Sequence, residues 1–196
     1  MLAKIDIKFI QDWSPLIKTY NKLNRVTEGK PKSAKYIKNF KSYRFDFGSS
    51  GALVTFDSIV SGTDYASNVS GPMVENKLPW TNRLRQDMSD LNIAGITFQS
   101  NFGSLLPHID GQEKDSTNFH CKLNYIVDDF DACTYADDGD TILSYPSARD
   151  TAWLLDTTKR HWVNGNGQRY IFQICFHQKY SEVLDWFNNH PNLIYQ

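Results

Sequence analysis

Residues 93–100 read IAGITFQS, and the chain continues with LLPHID over 105–110, FHCKLNYIV over 119–127, TILSY over 141–145, TAWLLD over 151–156, HWV over 161–163 and QRYIFQICF over 168–176. These runs are short, rich in β-branched and aromatic residues, and separated by turn-forming clusters such as Asn101-Phe102-Gly103-Ser104 and the polar loop Gly111–Asn118. Several such strands at close spacing predict an all-β sandwich or barrel. An acidic loop is expected between Val127 and Thr141, and Asn164-Gly165-Asn166-Gly167 carries the strongest short-range hairpin signal, joining the strand of His161 to that of Arg169.

The flanks read as support. Lys4 to Ile10 alternates well enough for one short strand, and a helix is expected from Ser14 or Pro15 to about Leu23. Lys30 to Arg44 is strongly basic with Tyr36, Phe40 and Tyr43 interleaved, which reads as a solvated basic surface. Gly51 to Val60 predicts a strand and Ser61 to Pro79 a long loop. A helix is expected from Thr81 to Leu91, with Leu84, Met88 and Leu91 as its apolar stripe. The closing segment QKYSEVLDWFNN predicts a helix that lays Val183, Leu184, Trp186 and Phe187 against the outside of a sheet. Together these give one domain over 1–196: supporting elements over 1–92, a β core over 93–176 and a C-terminal helix over 177–196.

The length of 196 residues suits a single core. Lys+Arg number 21 against 22 Asp+Glu, a net charge of −1, so no global field draws the chain to nucleic acid or to an anionic membrane. No apolar run approaches the length of a membrane span and no leader pattern opens the chain, so a soluble, cytoplasmic protein is expected. Cys121, Cys133 and Cys175 lack any C-x-x-C spacing and read as free thiols.

The chemistry concentrates in the β core. His108 and Asp110 stand two apart, so a strand's period of two puts both on one face, where an imidazole and a carboxylate can share a divalent cation. His161 supplies a third ligand type 51 residues on. Two histidines and one carboxylate on one side of an octahedron leave positions open, as in non-haem Fe(II) oxygenases. Arg169, in a mainly apolar strand, calls for a carboxylate partner, either a protein acid or a dicarboxylate ligand. Taken singly, each has a structural reading: satisfied histidines, a turn aspartate before Gly111, half of a buried ion pair. His177 and His190 are read as structural.

The order His-x-Asp, about fifty residues, His-x-Val-Asn and then Arg resembles the double-stranded β-helix of the iron(II)- and 2-oxoglutarate-dependent oxygenases. Within it the nearest likeness is to the aspartyl/asparaginyl β-hydroxylase group. Phe102-Gly103-Ser104-Leu105-Leu106-Pro107-His108 resembles that group's Pro-Gly-x-x-x-x-Pro-His approach to the first ligand. Trp153-Leu154-Leu155-Asp156-Thr157-Thr158-Lys159-Arg160-His161-Trp162-Val163-Asn164 resembles its Phe-Asp-x-x-x-x-His-x-Val approach to the last. The likeness covers 93–176 and implies a mainly β fold with flanking helices around a jelly-roll, cupin-like core.

The resemblance implies that His108, Asp110 and His161 ligate Fe(II) and that Arg169 binds the distal carboxylate of 2-oxoglutarate. It places Thr97 beside that cosubstrate, and His120 and Lys122 near its other carboxylate. Here His120 stands where the family commonly has arginine, and the gap from His161 to Arg169 is shorter than usual. The implied activity is a dioxygenase that uses dioxygen to hydroxylate an unactivated C–H bond of a free or peptidyl amino acid. Two alternatives remain at this point: a cupin-like enzyme using the same ligands without 2-oxoglutarate, and a non-catalytic β-barrel module that binds through the basic stretch 30–44.

Overall fold

The computed structural model describes residues 1–14, 17–18, 41–46, 53–56, 67–68, 80–102, 104–110, 119–166 and 168–196. Most of the expected helix at 14–23, the basic stretch up to Lys41, most of the 61–79 loop and the 111–118 loop lie outside the described residues. The strands are β1 (Leu2–Ile5), β2 (Ile7–Phe9), β3 (Lys41–Asp46), β4 (Leu53–Phe56), β5 (Ser67–Asn68), β6 (Ile93–Phe102), β7 (Leu105–His108), β8 (Cys121–Ile126), β9 (Ala132–Asp138), β10 (Thr141–Pro146), β11 (Thr151–Asp156), β12 (His161–Gly165), β13 (Gln168–Phe176) and β14 (Leu193–Tyr195). The helices are α1 (Thr81–Asp87) and α2 (Tyr180–Asn189).

Among the described residues, eight strands form one sheet in the order β1-β11-β8-β13-β6-β3-β4-β5, and four form another in the order β10-β9-β12-β7. This is the double-stranded β-helix that the family resemblance implies, one form of the sandwich or barrel that the strand pattern predicts. Its alternation is strict in the larger sheet. Leu154, Leu123, Ile174 and Ile96 stand in register across four strands, as do Ala152, Tyr125, Phe172 and Phe98. All eight are buried in the main apolar core, beneath Phe9, Trp13, Trp80, Leu84, Met88, Val183 and Phe187. The opposite pleat puts Lys122, Asn124, Gln173 and Arg169 on the other face, away from that core.

Phe9 is central to the outer layer, with ring centroids 4.9 Å from Trp80, Tyr125 and Phe172 and 5.5 Å from Tyr195. Phe9→Ala is expected to destabilise the fold by about 3–5 kcal/mol through lost burial and the cavity left behind. A denaturant titration reads this directly, and a loss under about 1 kcal/mol would show that the layer collapses around the gap.

Four expectations are corrected. The single strand at Lys4–Ile10 is two: the chain breaks at exposed Asp6, so β1 joins β11 in the large sheet while β2 pairs in parallel with β14. The acidic loop contains β9, whose Thr134 and Ala136 are buried while Tyr135 and Asp137 are only half-buried. The expected turn at Asn101 starts late, because β6 continues through Phe102. The Asn164–Gly167 segment is no hairpin between paired strands: β12 pairs with β9 and β7, whereas β13 pairs with β6 and β8. It carries the chain from one sheet to the other, and Gly165 is needed there because a Cβ would lie 2.4 Å from that of Ala132.

The cysteines are free; Cys121 and Cys175 are buried and Cys133 is half-buried. Burial pushes the Cys121 thiol up, so its thiolate is scarce. Alkylation of the folded protein is therefore expected to spare Cys121 and Cys175 until denaturant is added, and mass spectrometry showing rapid native labelling of either would contradict this packing. Among the described residues no helix is long and apolar enough to cross a membrane.

Candidate metal centre

His108 ends β7, the edge strand of the smaller sheet, and is the register partner of His161 at the start of β12. Their ring centroids are 4.3 Å apart. Between this pair and the next, Val163 with Leu105, the register slips by one residue. Pro107 falls in that slip; it has no N–H to donate to the ladder and is tolerated at an edge. Asp110 follows immediately, with its backbone N–H donating to Thr157 O at 3.2 Å. That bond turns the carboxylate back toward the imidazoles: His108 Nε2 lies 3.2 Å from Oδ1 and His161 Nε2 3.3 Å from Oδ2.

Potential ligand atoms of His108, Asp110 and His161 all lie within 4.8 Å of one another, close enough for one ion to touch all three. His161 is 4% exposed, and its Nδ1 lies 2.9 Å from Lys159 O. With Nδ1 held by that carbonyl, Nε2 faces the carboxylate, the orientation given to metal-ligating histidines by their outer partners. Arg160 helps fix this strand start, its Nε donating to Asp137 Oδ2 at 2.7 Å while its carbonyl accepts from Asp137 N–H at 2.9 Å.

Lys122 reaches the site from β8 in the opposite sheet, and its ammonium is hydrogen-bonded to Asp110 Oδ2. The same ammonium lies 4.7 Å from the centroid of the Phe119 ring. Burial alone would push the Asp110 carboxyl up, but the charges of Lys122 and His161 and the hydrogen bonds from both histidines outweigh it and hold the group well below the usual carboxylate range. The site thus presents an ionised carboxylate between two imidazoles.

Arg169 and the backbone position of Thr97 lie further along the interior, whereas His120 stands just before β8. One pleat repeat beyond the His161 row, about 7 Å away, Val163, Thr134 and Tyr145 form the next inward row of the smaller sheet. Tyr145 is buried, and its hydroxyl accepts from Asn124 Nδ2 at 3.1 Å. Gln173 Nε2 in turn donates to Asn124 Oδ1 at 2.7 Å. Arg169 is 3% exposed; burial lowers its pKa to about 10, and the nearby Tyr145 oxygen works in the opposite direction. Thr97 occupies the register position opposite Gln173, though its side chain lies outside the described residues. His120 precedes β8, its backbone N–H donating to Phe176 O at 2.8 Å and its carbonyl accepting from Thr157 N–H at 3.0 Å. His177 and His190 lie apart: His190 is tied by Nδ1 to Trp186 O at 2.8 Å, and His177 donates its N–H to Asn92 O at 2.9 Å.

Sequence reasoning missed Asn124, Thr134, Tyr145 and Gln173. The signal for two of them was present: Lys122-x-Asn124 in CKLNYI and Gln173 in YIFQICF are polar residues in otherwise apolar strands, which a period of two aims at one face.

No family model and no curated protein sequence matches the chain. Solved structures do. A prolyl hydroxylase from Trichoplax adhaerens, solved in complex with a hypoxia inducible factor oxygen degradation domain peptide fragment, is 11% identical with a TM-score of 0.52 over 89% of this chain and 82% of that one. A Pseudomonas putida prolyl-4-hydroxylase is 11% identical with a TM-score of 0.50, covering 84% and 85%. An oxidoreductase of the 2OG-Fe(II) oxygenase family from Burkholderia pseudomallei is 12% identical with a TM-score of 0.48, covering 82% and 77%. At these identities the likeness is one of fold: the chain shares the double-stranded β-helix of the two prolyl hydroxylases.

Proposed function

We propose that the protein is an Fe(II)- and 2-oxoglutarate-dependent dioxygenase that hydroxylates an unactivated C–H bond of an amino acid, free or within a polypeptide. The observation that carries this reading is the pairing of two features inside one barrel. His108, Asp110 and His161 converge on one point, and further along the interior lie Tyr145, hydrogen-bonded to Asn124, which accepts in turn from Gln173, and the buried Arg169 near Tyr145. The first set suits a divalent transition metal, since two imidazoles and a carboxylate on one side leave the remaining positions for ligands. The second suits the far carboxylate of a short diacid, which Arg169 can hold by a charge-assisted fork with Tyr145 beside it.

In this assignment His108, Asp110 and His161 hold Fe(II), and Arg169 with Tyr145 anchors 2-oxoglutarate. Thr97, in register with Gln173, and His120 and Lys122, around the start of β8, belong to the cosubstrate side. Bound Fe(II) with 2-oxoglutarate supplies an oxidant strong enough to take hydrogen from an unactivated C–H bond, consuming dioxygen and releasing succinate and carbon dioxide. The chain's own work is to position both groups and to exclude water: the larger sheet seals one side with its aromatic layer, and Ile126, Ile171, Tyr145 and Trp153 pack the deep end. The sequence likeness favours an aspartyl/asparaginyl-type substrate, while two of the structural neighbours are prolyl hydroxylases; an amino-acid side chain is common to both.

The test is anaerobic. Fe(II) and then 2-oxoglutarate added to metal-free protein are expected to give the weak visible charge-transfer band of a chelated complex. Fe(II) binding without the band would favour a cupin-like enzyme that does not use 2-oxoglutarate, and binding of neither would remove the enzymatic reading.

A further inference from the structure

The ion pair between Lys122 and Asp110 bears on how the site accepts a metal. Lys122 is the register partner of Leu155 and Cys175 in the middle of the large sheet, so its backbone is fixed and its side chain projects inward. The side chain is 15% exposed and that of Asp110 13%. Its ammonium holds Oδ2, the same oxygen that faces His161 Nε2. An ion taking both imidazoles and the carboxylate would sit against this ammonium, and two cations sharing one poorly hydrated oxygen repel strongly. The ammonium has another resting place already in contact, the face of Phe119.

We propose that Lys122 is the resident cation of the metal site, neutralising Asp110 in the metal-free protein and yielding that carboxylate when a divalent metal binds. Metal uptake is then an exchange of one cation for another. Two consequences follow, both resting on the assignment of His108, Asp110 and His161 as metal ligands. The metal-free fold is electrostatically complete, because its buried carboxylate is never unpaired. Metal affinity is held below what the three ligands alone would give, so occupancy follows metal availability more closely.

The experiment is a calorimetric titration of Mn(II) into metal-free wild type, Lys122→Met, Lys122→Gln, Lys122→Arg and Asp110→Ala. Lys122→Met and Lys122→Gln are expected to bind about 10- to 100-fold more tightly than wild type, the scale on which partners of metal ligands tune affinity. Their metal-free Tm should fall and the rise in Tm on adding Mn(II) should grow, while Lys122→Arg, which keeps the charge, should stay near wild type. Lys122→Gln keeps the test open should the methionine variant fold poorly. Wild-type binding that Asp110→Ala loses, together with unchanged or weaker binding in both neutral variants, would overturn the role of Lys122 and leave the metal site standing. Failure of wild type to bind Mn(II) would overturn both.

Discussion

Asp110→Ala should remove divalent-metal binding by two to four decades in Kd. The carboxylate is the sole anion among the three proposed ligands, and it is the acceptor around which the others are arranged, facing His108, His161 and Lys122 together. Its removal leaves two imidazoles beside a lysine ammonium, a site with net positive character. Taking away one partner of a largely desolvated charge interaction costs about 3–5 kcal/mol, and each 1.4 kcal/mol is about tenfold in Kd. Asp110→Asn separates charge from shape: it keeps a carboxamide oxygen for Lys122 and the backbone bond to Thr157, so it should keep the fold at a lowered metal-free Tm and still lose the metal. Calorimetric titration with Mn(II) measures both. Metal binding by Asp110→Ala at wild-type strength would place the ion elsewhere and end the assignment of all three residues.

The His108–Asp110 pair was legible in sequence from residue type and spacing, but the expected strand period is not what joins the two: β7 ends at His108, and Asp110 lies beyond it, turned back by its backbone bond to Thr157. Arg169 was legible as a cation in an apolar strand. The partners of these residues were not, because they come from strands distant in sequence: Tyr145 meets Asn124 across 21 residues and Gln173 meets Asn124 across 49. Local pattern gives the face on which a side chain lies, and only topology says what stands opposite. The Asn164–Gly167 segment shows the same limit. Glycine and asparagine permit a tight reversal, and a reversal serves equally for a hairpin and for a corner between sheets; pairing of β12 with β9 and of β13 with β8 decides between them. β9 escaped notice because Asp137 and Asp138 disfavour a strand by propensity, while burial of Thr134 and Ala136 against the barrel interior outweighs that preference.

Arg169→Gln should weaken 2-oxoglutarate binding about 30- to 4,000-fold while leaving Mn(II) affinity within a few-fold. The range follows from a cost of about 2–5 kcal/mol for truncating one side of a desolvated charge pair. The separation of the two readouts follows from placement, since Arg169 neighbours Tyr145, and Tyr145 lies one pleat repeat along the smaller sheet from the row of His161. Tyr145→Phe removes a single hydroxyl from the same pocket and should cost about 10- to 100-fold, the worth of one hydrogen bond to a charged group. The metal-free proteins should respond in the opposite sense. Burial lowers the Arg169 pKa to about 10, so the fold holds this cation at a cost. A neutral side chain of similar length, as in Arg169→Met, should therefore leave the metal-free Tm unchanged or raise it, while cancelling the rise in Tm that 2-oxoglutarate gives wild type in the presence of Mn(II). Should Arg169→Met lower the metal-free Tm steeply and bind 2-oxoglutarate as wild type does, the guanidinium is a structural group, and the same three metal ligands would then belong to a cupin-like enzyme that does without the diacid.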